Sequence, residues 1–253
     1  MTRPRVLFGE HSAQVPAIRR HLDAGRFDAT YGVLADADLS SFDLVVPLRV
    51  EEIEAARGAN ADGRRRACVP DAAAVALCDD KLAFNERLIA LGFGELVPAL
   101  LPDPPGEWPF VRKARFGDYG QGVRLVRSAD DDVAMPGSFC QRAVPGDTED
   151  VLHILRLDGR IRFAVSYRYT MAGELTVRGA ADRPLDTRPV DPAPALAQCE
   201  PILAALGFEG LGCFNTKWVE GRPMIIELNP RFGGSLVGEV TAALDAMLAA
   251  QTG

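Results

Sequence analysis

The residues of this chain best equipped for chemistry lie between Gly221 and Ser235, GRPMIIELNPRFGGS. A short apolar run ends there in an acid, an amide, an arginine and paired glycines. In an extended strand Met224, Ile226 and Leu228 would share one face, and Ile225, Glu227 and Asn229 the other. A carboxylate in so apolar a run is costly unless it is paired or bound to a metal. Glu227 and Asn229 bring two oxygen ligands together where the strand stops. Magnesium takes such hard oxygens, from one or two carboxylates plus substrate phosphates. The plainer alternative is a Glu227–Arg231 ion pair followed by an ordinary turn. A second candidate is the stretch Pro109 to Val126, where a strand carrying Lys113 runs into Phe116-Gly-Asp-Tyr-Gly-Gln-Gly122 and a further strand follows. Backbone N–H groups freed by the glycines can point at phosphate oxygens, and Lys113 adds a charge at the base of the loop. A plain β-hairpin with a mobile tip is the other reading. No helix follows the glycines, as a dinucleotide fold would require, and the Walker sequence is absent.

The elements that must position these residues follow from periodicity. Arg5–Gly9, Phe27–Val33 and Phe42–Leu48 read as strands, and Val15–Leu22 and Glu51–Arg57 as helices, predicting a small parallel α/β unit of about 70 residues. Gly58–Arg66, with its three arginines, reads as a solvated surface loop. Ala72–Leu77 is helical, and Asp79 or Asp80 can cap a helix from Lys81 to Ala90. Strands are expected at Ser138–Val144, Asp150–Leu157 and Arg160–Tyr169, the last two joined by an Asp158-Gly159 turn, with Glu174–Arg178 able to pair alongside. Ala181–Pro194 reads as a loop, and Ala195–Leu206 as a helix kinked or broken at Pro201. Leu211–Trp218 and Arg222–Leu228 form an antiparallel pair, and Val237–Ala250 a closing helix. A three-residue loop at Glu220–Arg222 puts Asn215 opposite Glu227, completing a tripod with Asn229; a two-residue loop pairs Asn215 with Ile226 instead.

Composition narrows the classes. A formal charge of −7 disfavours a nucleic-acid surface. No apolar run reaches the ~18 residues of a membrane span, and the N-terminus lacks a signal-type hydrophobic segment. Five widely spaced cysteines without a CxxC pattern suggest a reduced, cytoplasmic setting, and three histidines make a zinc centre of the usual kind unlikely.

In order and spacing, four pieces of this chain resemble the ATP-grasp superfamily, nearest its carbamoyl-phosphate-synthetase and amino-acid-ligase type of member. They are Asp80-Lys81 with Phe84, Leu88 and Gly92; Pro109 to Val123; Gln141 to Glu149; and Glu227-Leu-Asn-Pro-Arg-Phe-Gly-Gly234. The resemblance implies an α/β fold with α+β elements in three parts. These are a short N-terminal parallel-sheet domain (1–67), a helical linker and glycine-loop lid (68–137), and a C-terminal antiparallel-sheet subdomain with the metal and acceptor site (138–253). It implies that Lys81 and Lys113 contact ATP phosphates and that Gly117, Tyr119, Gly120 and Gly122 form the loop covering them. Gln141, where the family usually has glutamate, and Val144 would meet adenine, and Glu149 the ribose. Asn215, Glu227 and Asn229 would hold Mg2+, with Mn2+ able to substitute, and Arg231 and Lys113 would serve the transferred phosphoryl group. The neutral Asn215 leaves this site one carboxylate where two are common.

The activity so implied is an ATP- and magnesium-dependent carboxylate–amine ligase that forms an acyl phosphate and releases ADP. An ATP-grasp kinase and a nucleotide-binding regulator remain alternatives. Candidate contacts to the small-molecule acid and amine are His153, Arg168, Arg178 and Lys217. Arg168 and Tyr169 point to opposite faces of their strand, so at most one looks into the site. A homodimer is compatible with this type of protein.

Overall fold

A computed structural model of the chain describes residues 2–117, 120–179 and 182–251. The first unit is β1 (Arg5–Phe8), α1 (Gln14–His21), β2 (Asp28–Tyr31), β3 (Leu44–Val46) and α2 (Ile53–Gly58), with the parallel order β2-β1-β3. Val6, Phe8, Leu44 and Val46 are almost fully buried, as expected of parallel strands covered on both faces. The loop after them is not merely solvated. Arg66 is 5% exposed, pairs with Asp62, and donates to the carbonyls of Phe42 and Ala59. Its side chain therefore ties the loop to the sheet.

Two helices lead on: α3 (Ala72–Asp79), capped by Asp71, and α4 (Lys81–Ala90), capped by Asp80. On α4 the buried positions are Lys81, Phe84, Asn85 and Leu88, one helical stripe whose apolar members enter the core. A second sheet, in the order β4-β7-β5-β6, is built from β4 (Leu100–Leu101), β5 (Phe110–Ala114), β6 (Val123–Val126) and β7 (Ser138–Arg142). The alternation of β5 sends Phe110 and Arg112 to one face and Val111 and Lys113 to the other. Arg112 is 4% exposed and bonds both Asp103 and Asp132 through paired guanidinium contacts, fastening the outer side of this sheet.

The third sheet is antiparallel in the order β10-β9-β8-β11-β12, from β8 (Thr148–Leu157), β9 (Arg160–Thr170), β10 (Asp186–Val190), β11 (Gly210–Val219) and β12 (Arg222–Asn229). Between β10 and β11 runs α5 (Ala193–Leu206), and α6 (Val240–Ala249) follows β12. Two expectations change here. Strand β10 lies within the segment read as loop, whereas Glu174–Arg178 forms no strand and Arg178 makes only an isolated bridge to Asp182. Helix α5 passes unbroken through Pro201. Leu152, Ile154, Phe214, Ile225 and Leu228 pack against Cys199, Ile202 and Leu203 of α5. A second cluster joins Val6, Phe8, Leu44 and Val46 to Val240, Ala243 and Leu244, so the N-terminal sheet and α6 share one core. Among the described residues no helix is long and apolar enough to cross a membrane.

Candidate active site

The opposite face of the large sheet carries the polar residues. The register places Asn215 beside Val151 and Cys213 beside His153, with Tyr169 across from Glu149. On the other flank Asn215 faces Glu227 and Cys213 faces Asn229. The hairpin reaches this arrangement by an unforeseen route. Its loop has two residues, since Val219 pairs with Arg222, and Glu220 and Gly221 both have positive φ (50° and 77°), the requirement of a tight two-residue turn. That loop alone would oppose Asn215 to Ile226. A β-bulge between Asn215 and Thr216 in the ladder shifts the register, leaves Ile226 without an opposite residue, and brings Glu227 across from Asn215. It also overturns the simple alternation. Ile225 and Leu228 enter the core, while Ile226, Glu227 and Asn229 line the cleft.

That cleft, about 410 Å³, lies between the inner face of the β4-β7-β5-β6 sheet and this face of the large sheet. Lys81, Lys113, Gly117, Gly120, Gln141, Val144, Glu149, Asn215, Glu227, Asn229 and Arg231 all line it, as do His153, Arg178 and Lys217. Gly122 and Arg168 do not, and Tyr119 falls outside the described residues. Arg168 instead makes a two-point contact with Asp150 at 2.7 Å, and its strand neighbour Tyr169 faces the cleft. Pro98, Val111, Leu125, Val151 and Ser235, not singled out from the sequence, also line it. The Gly-Gly-Ser run after Arg231 was the one available signal for Ser235; the apolar wall had none, because any strand supplies such residues.

Each polar group is held. Asp80 accepts from the backbone N–H of Leu82 and Ala83 and pairs with Arg115, while Lys81 N–H donates to Arg115 O at 2.9 Å, so the start of α4 is pinned to the end of β5. Lys81 Nζ donates to the carbonyl of Gly117. Gln141 Nε2 donates to Asn85 Oδ1 (2.9 Å) and Pro98 O (3.1 Å), whereas its Oε1 is buried without a hydrogen-bond partner among the described residues. Asn215 Nδ2 and Asn229 Nδ2 both donate to Glu227 Oε1, at 3.0 and 2.9 Å. Glu149 pairs with Arg178 at 2.8 Å. Lys217 Nζ donates to the carbonyls of Gly146 and Val144. The glycine loop rests on the large sheet's cover. A Cβ on Gly120 (φ 71°) would lie 2.8 Å from Arg178 O, so only glycine lets the loop come this close.

Burial sets the charge states. It pulls the Lys113 ammonium down to about 8, against the attraction of Glu227. It lowers Lys217 and raises Glu149, the latter opposed by Arg178. Burial, then the Arg231 and Arg178 cations, push His153 down to about 3, so its ring is neutral. Burial raises the Cys213 thiol to about 11, which removes it as a nucleophile. Among the described residues no three or more His, Cys, Asp or Glu gather as a metal site. The available oxygen set is one carboxylate and two amides.

No family model and no curated protein matches the sequence. The structure does find similar folds. D-alanine–D-alanine ligase from Bacillus anthracis aligns over 99% of this chain and 98% of its own, at 15% identity and a TM-score of 0.66. The same ligase complexed with ATP aligns over 100% and 98%, at 13% identity and a TM-score of 0.64. An L-amino acid ligase from Bacillus licheniformis aligns over 95% and 70%, at 16% identity and a TM-score of 0.60. The chain shares the fold of these ligases, which is the ATP-grasp fold.

Proposed function

We propose that the protein is an ATP- and magnesium-dependent ligase that activates a small carboxylic acid as its acyl phosphate, joins it to an amine and releases ADP. The observation that carries this reading is the meeting of Lys81, Lys113, the glycine loop and the Asn215–Glu227–Asn229 cluster in one cleft. In this reading residues 1–67, 68–137 and 138–253 act as N-terminal domain, lid and catalytic subdomain.

The residues fit the groups they would hold. Gln141 Oε1 is a buried acceptor lacking a donor, and the exocyclic amine of adenine supplies one. Pro98, Val111, Val144 and Val151 give the base an apolar slot. Glu149 would receive the ribose hydroxyls once its Arg178 partner shares it. Phosphoryl transfer needs positioning and charge neutralisation more than covalent help, which suits two lysines and loop N–H groups aimed into one space. Glu227 and the side-chain oxygens of Asn215 and Asn229 would hold magnesium, whose chemistry is neutralisation of charge on the phosphates. Arg231, half-buried beside Asn229, would serve the transferred group. A lid of glycines closing over the cleft would exclude water from an easily hydrolysed acyl phosphate. The amine would attack as its free base, and His153, which burial keeps neutral, adds no charge beside it.

The ligases among similar folds favour condensation over simple phosphorylation. A screen of amino acids and small amines for magnesium-dependent ADP release, read with product mass, tests this. A condensed product is expected. A stable phosphorylated acid or alcohol would make the protein a kinase, and ATP binding without turnover a regulator.

A further inference from the structure

One helical turn beyond Lys81, α4 carries a buried polar side chain that has no part in the roles above. Asn85 has no surface open to solvent and does not line the cleft. Its Nδ2 donates to the carbonyl of Lys81 at 2.7 Å, on the same helix. Its Oδ1 accepts from Gln141 Nε2 on β7 at 2.9 Å, and the same Nε2 donates to Pro98 O at 3.1 Å. Gln141 is 1% exposed and lines the cleft, and its Oε1 has no hydrogen-bond partner among the described residues.

A side-chain amide can be turned end for end, and its hydrogen-bond partners decide which end points where. Here two main-chain carbonyls decide, because a carbonyl only accepts. Turning Asn85 would set its Oδ1 against Lys81 O and its Nδ2 against Gln141 Nε2. Turning Gln141 would set its Oε1 against both Pro98 O and Asn85 Oδ1. Either clash is costly in a space closed to water. Both N–H groups of Gln141 are therefore spent inside the protein, and a lone-pair atom is what remains for a bound base. A carboxylate at position 141 would present acceptors whichever way it turned. An amide needs a neighbour to aim it.

We infer that Asn85 is a positioning residue that aims Gln141 Oε1 at the base, so that the nucleotide site takes adenine and rejects an oxopurine such as guanine. This rests on the ATP-binding reading of the cleft, and not on which acid or amine is joined. The exocyclic amine of adenine is a donor, whereas guanine carries a carbonyl oxygen at that place. An oxopurine would leave two acceptors facing each other away from water, and a site that loses a built-in hydrogen bond in this way discriminates strongly. The first turn of α4 then serves both ends of the nucleotide, the phosphates through the Lys81 ammonium and the base through the Lys81 carbonyl and Asn85.

Calorimetric titration of the full chain with AMP-PNP and with GMP-PNP, in magnesium, tests this without calling on turnover. The native protein should bind AMP-PNP at least about 10²-fold more tightly. A smaller ratio overturns the inference and leaves nucleotide binding in place; binding of neither analogue brings down the ATP reading, and this inference with it. In Asn85→Leu one Gln141 N–H loses its acceptor and can turn to the cleft. The ratio should then fall at least about tenfold, GMP-PNP gaining as AMP-PNP loses. Asn85→Ala makes the same comparison if the leucine variant does not fold. Gln141→Met offers the base neither donor nor acceptor, so the ratio should be small there and change less than about twofold when Asn85→Leu is added. A folded Asn85 variant that keeps the native ratio refutes the positioning role, since a merely structural residue would weaken both analogues alike. An Asn85→Leu effect as large in the Gln141→Met background as in the native protein refutes action through Gln141.

Discussion

Replacing Lys113 by methionine should stabilise the protein while abolishing its hold on ATP. Lys113 is 5% exposed, and burial takes its ammonium from 10.5 to about 8 even with Glu227 and Glu149 nearby. At about 1.36 kcal/mol per pH unit, that difference opposes folding by roughly 3 kcal/mol at neutral pH. The sign follows from proton counting. Between pH 8 and 10.5 the unfolded chain holds this proton more firmly than the folded one, so raising pH through that window favours the fold. Below it the opposition is present in full. Methionine keeps the apolar stem and loses the charge. At pH 7 the variant should gain about 2–3 kcal/mol, or roughly 4–12 °C in Tm for a chain of this size, and the gain should shrink towards zero by about pH 10.5. Thermal and urea unfolding at pH 7 and 10, beside calorimetric titration with AMP-PNP, measure both effects. Binding a polyphosphate should also return the proton to Lys113, so affinity for AMP-PNP in the native protein should fall by up to about tenfold per unit above pH 8. A Lys113→Met protein less stable than the native one at pH 7, or equally stabilised at pH 10, refutes the argument that this lysine is held charged at the expense of the fold.

Glu227→Gln keeps an acceptor for Asn215 and Asn229 but removes the cluster's carboxylate, so magnesium-dependent turnover should drop by about 10²-fold or more at an unchanged melting temperature. A loss of fold would make Glu227 structural. Gly120→Ala forces an alanine into φ 71° and against Arg178 O; the left-handed backbone alone costs about 1–2 kcal/mol, and turnover should fall far more than overall stability. Equal losses in the two would show that the loop is only a packed hairpin. Arg112→Ala removes the paired contacts to Asp103, which is half exposed, and to Asp132 on the outer side of the β4-β7-β5-β6 sheet and should cost about 1–3 kcal/mol in urea unfolding, with the affinity for AMP-PNP falling only as that sheet unfolds.

Much of the positioning framework was legible because it is local. The stripe at Lys81, Phe84 and Leu88, the capping Asp80, and the alternation that puts Val111 and Lys113 on one face follow from periods of 3.6 and 2. The failures were also local in cause. Pro201 threatened α5, yet packing of Cys199, Ile202 and Leu203 against the sheet holds the helix through it. Strand β10 looked like loop because Asp186–Val190 is a mostly exposed edge with no buried alternation to show.

By itself the chain's residue order determined which groups were available: one acid between two amides, two lysines, and glycines able to bring backbone close to a ligand. Tertiary structure decided how they meet. The bulge after Asn215 corrects a two-residue turn and puts Asn215 across from Glu227, and no period in the sequence announces a one-residue slip. Likewise the choice of Tyr169 over Arg168 and the burial that neutralises His153 depend on which sheet face is covered, and only long-range packing sets that.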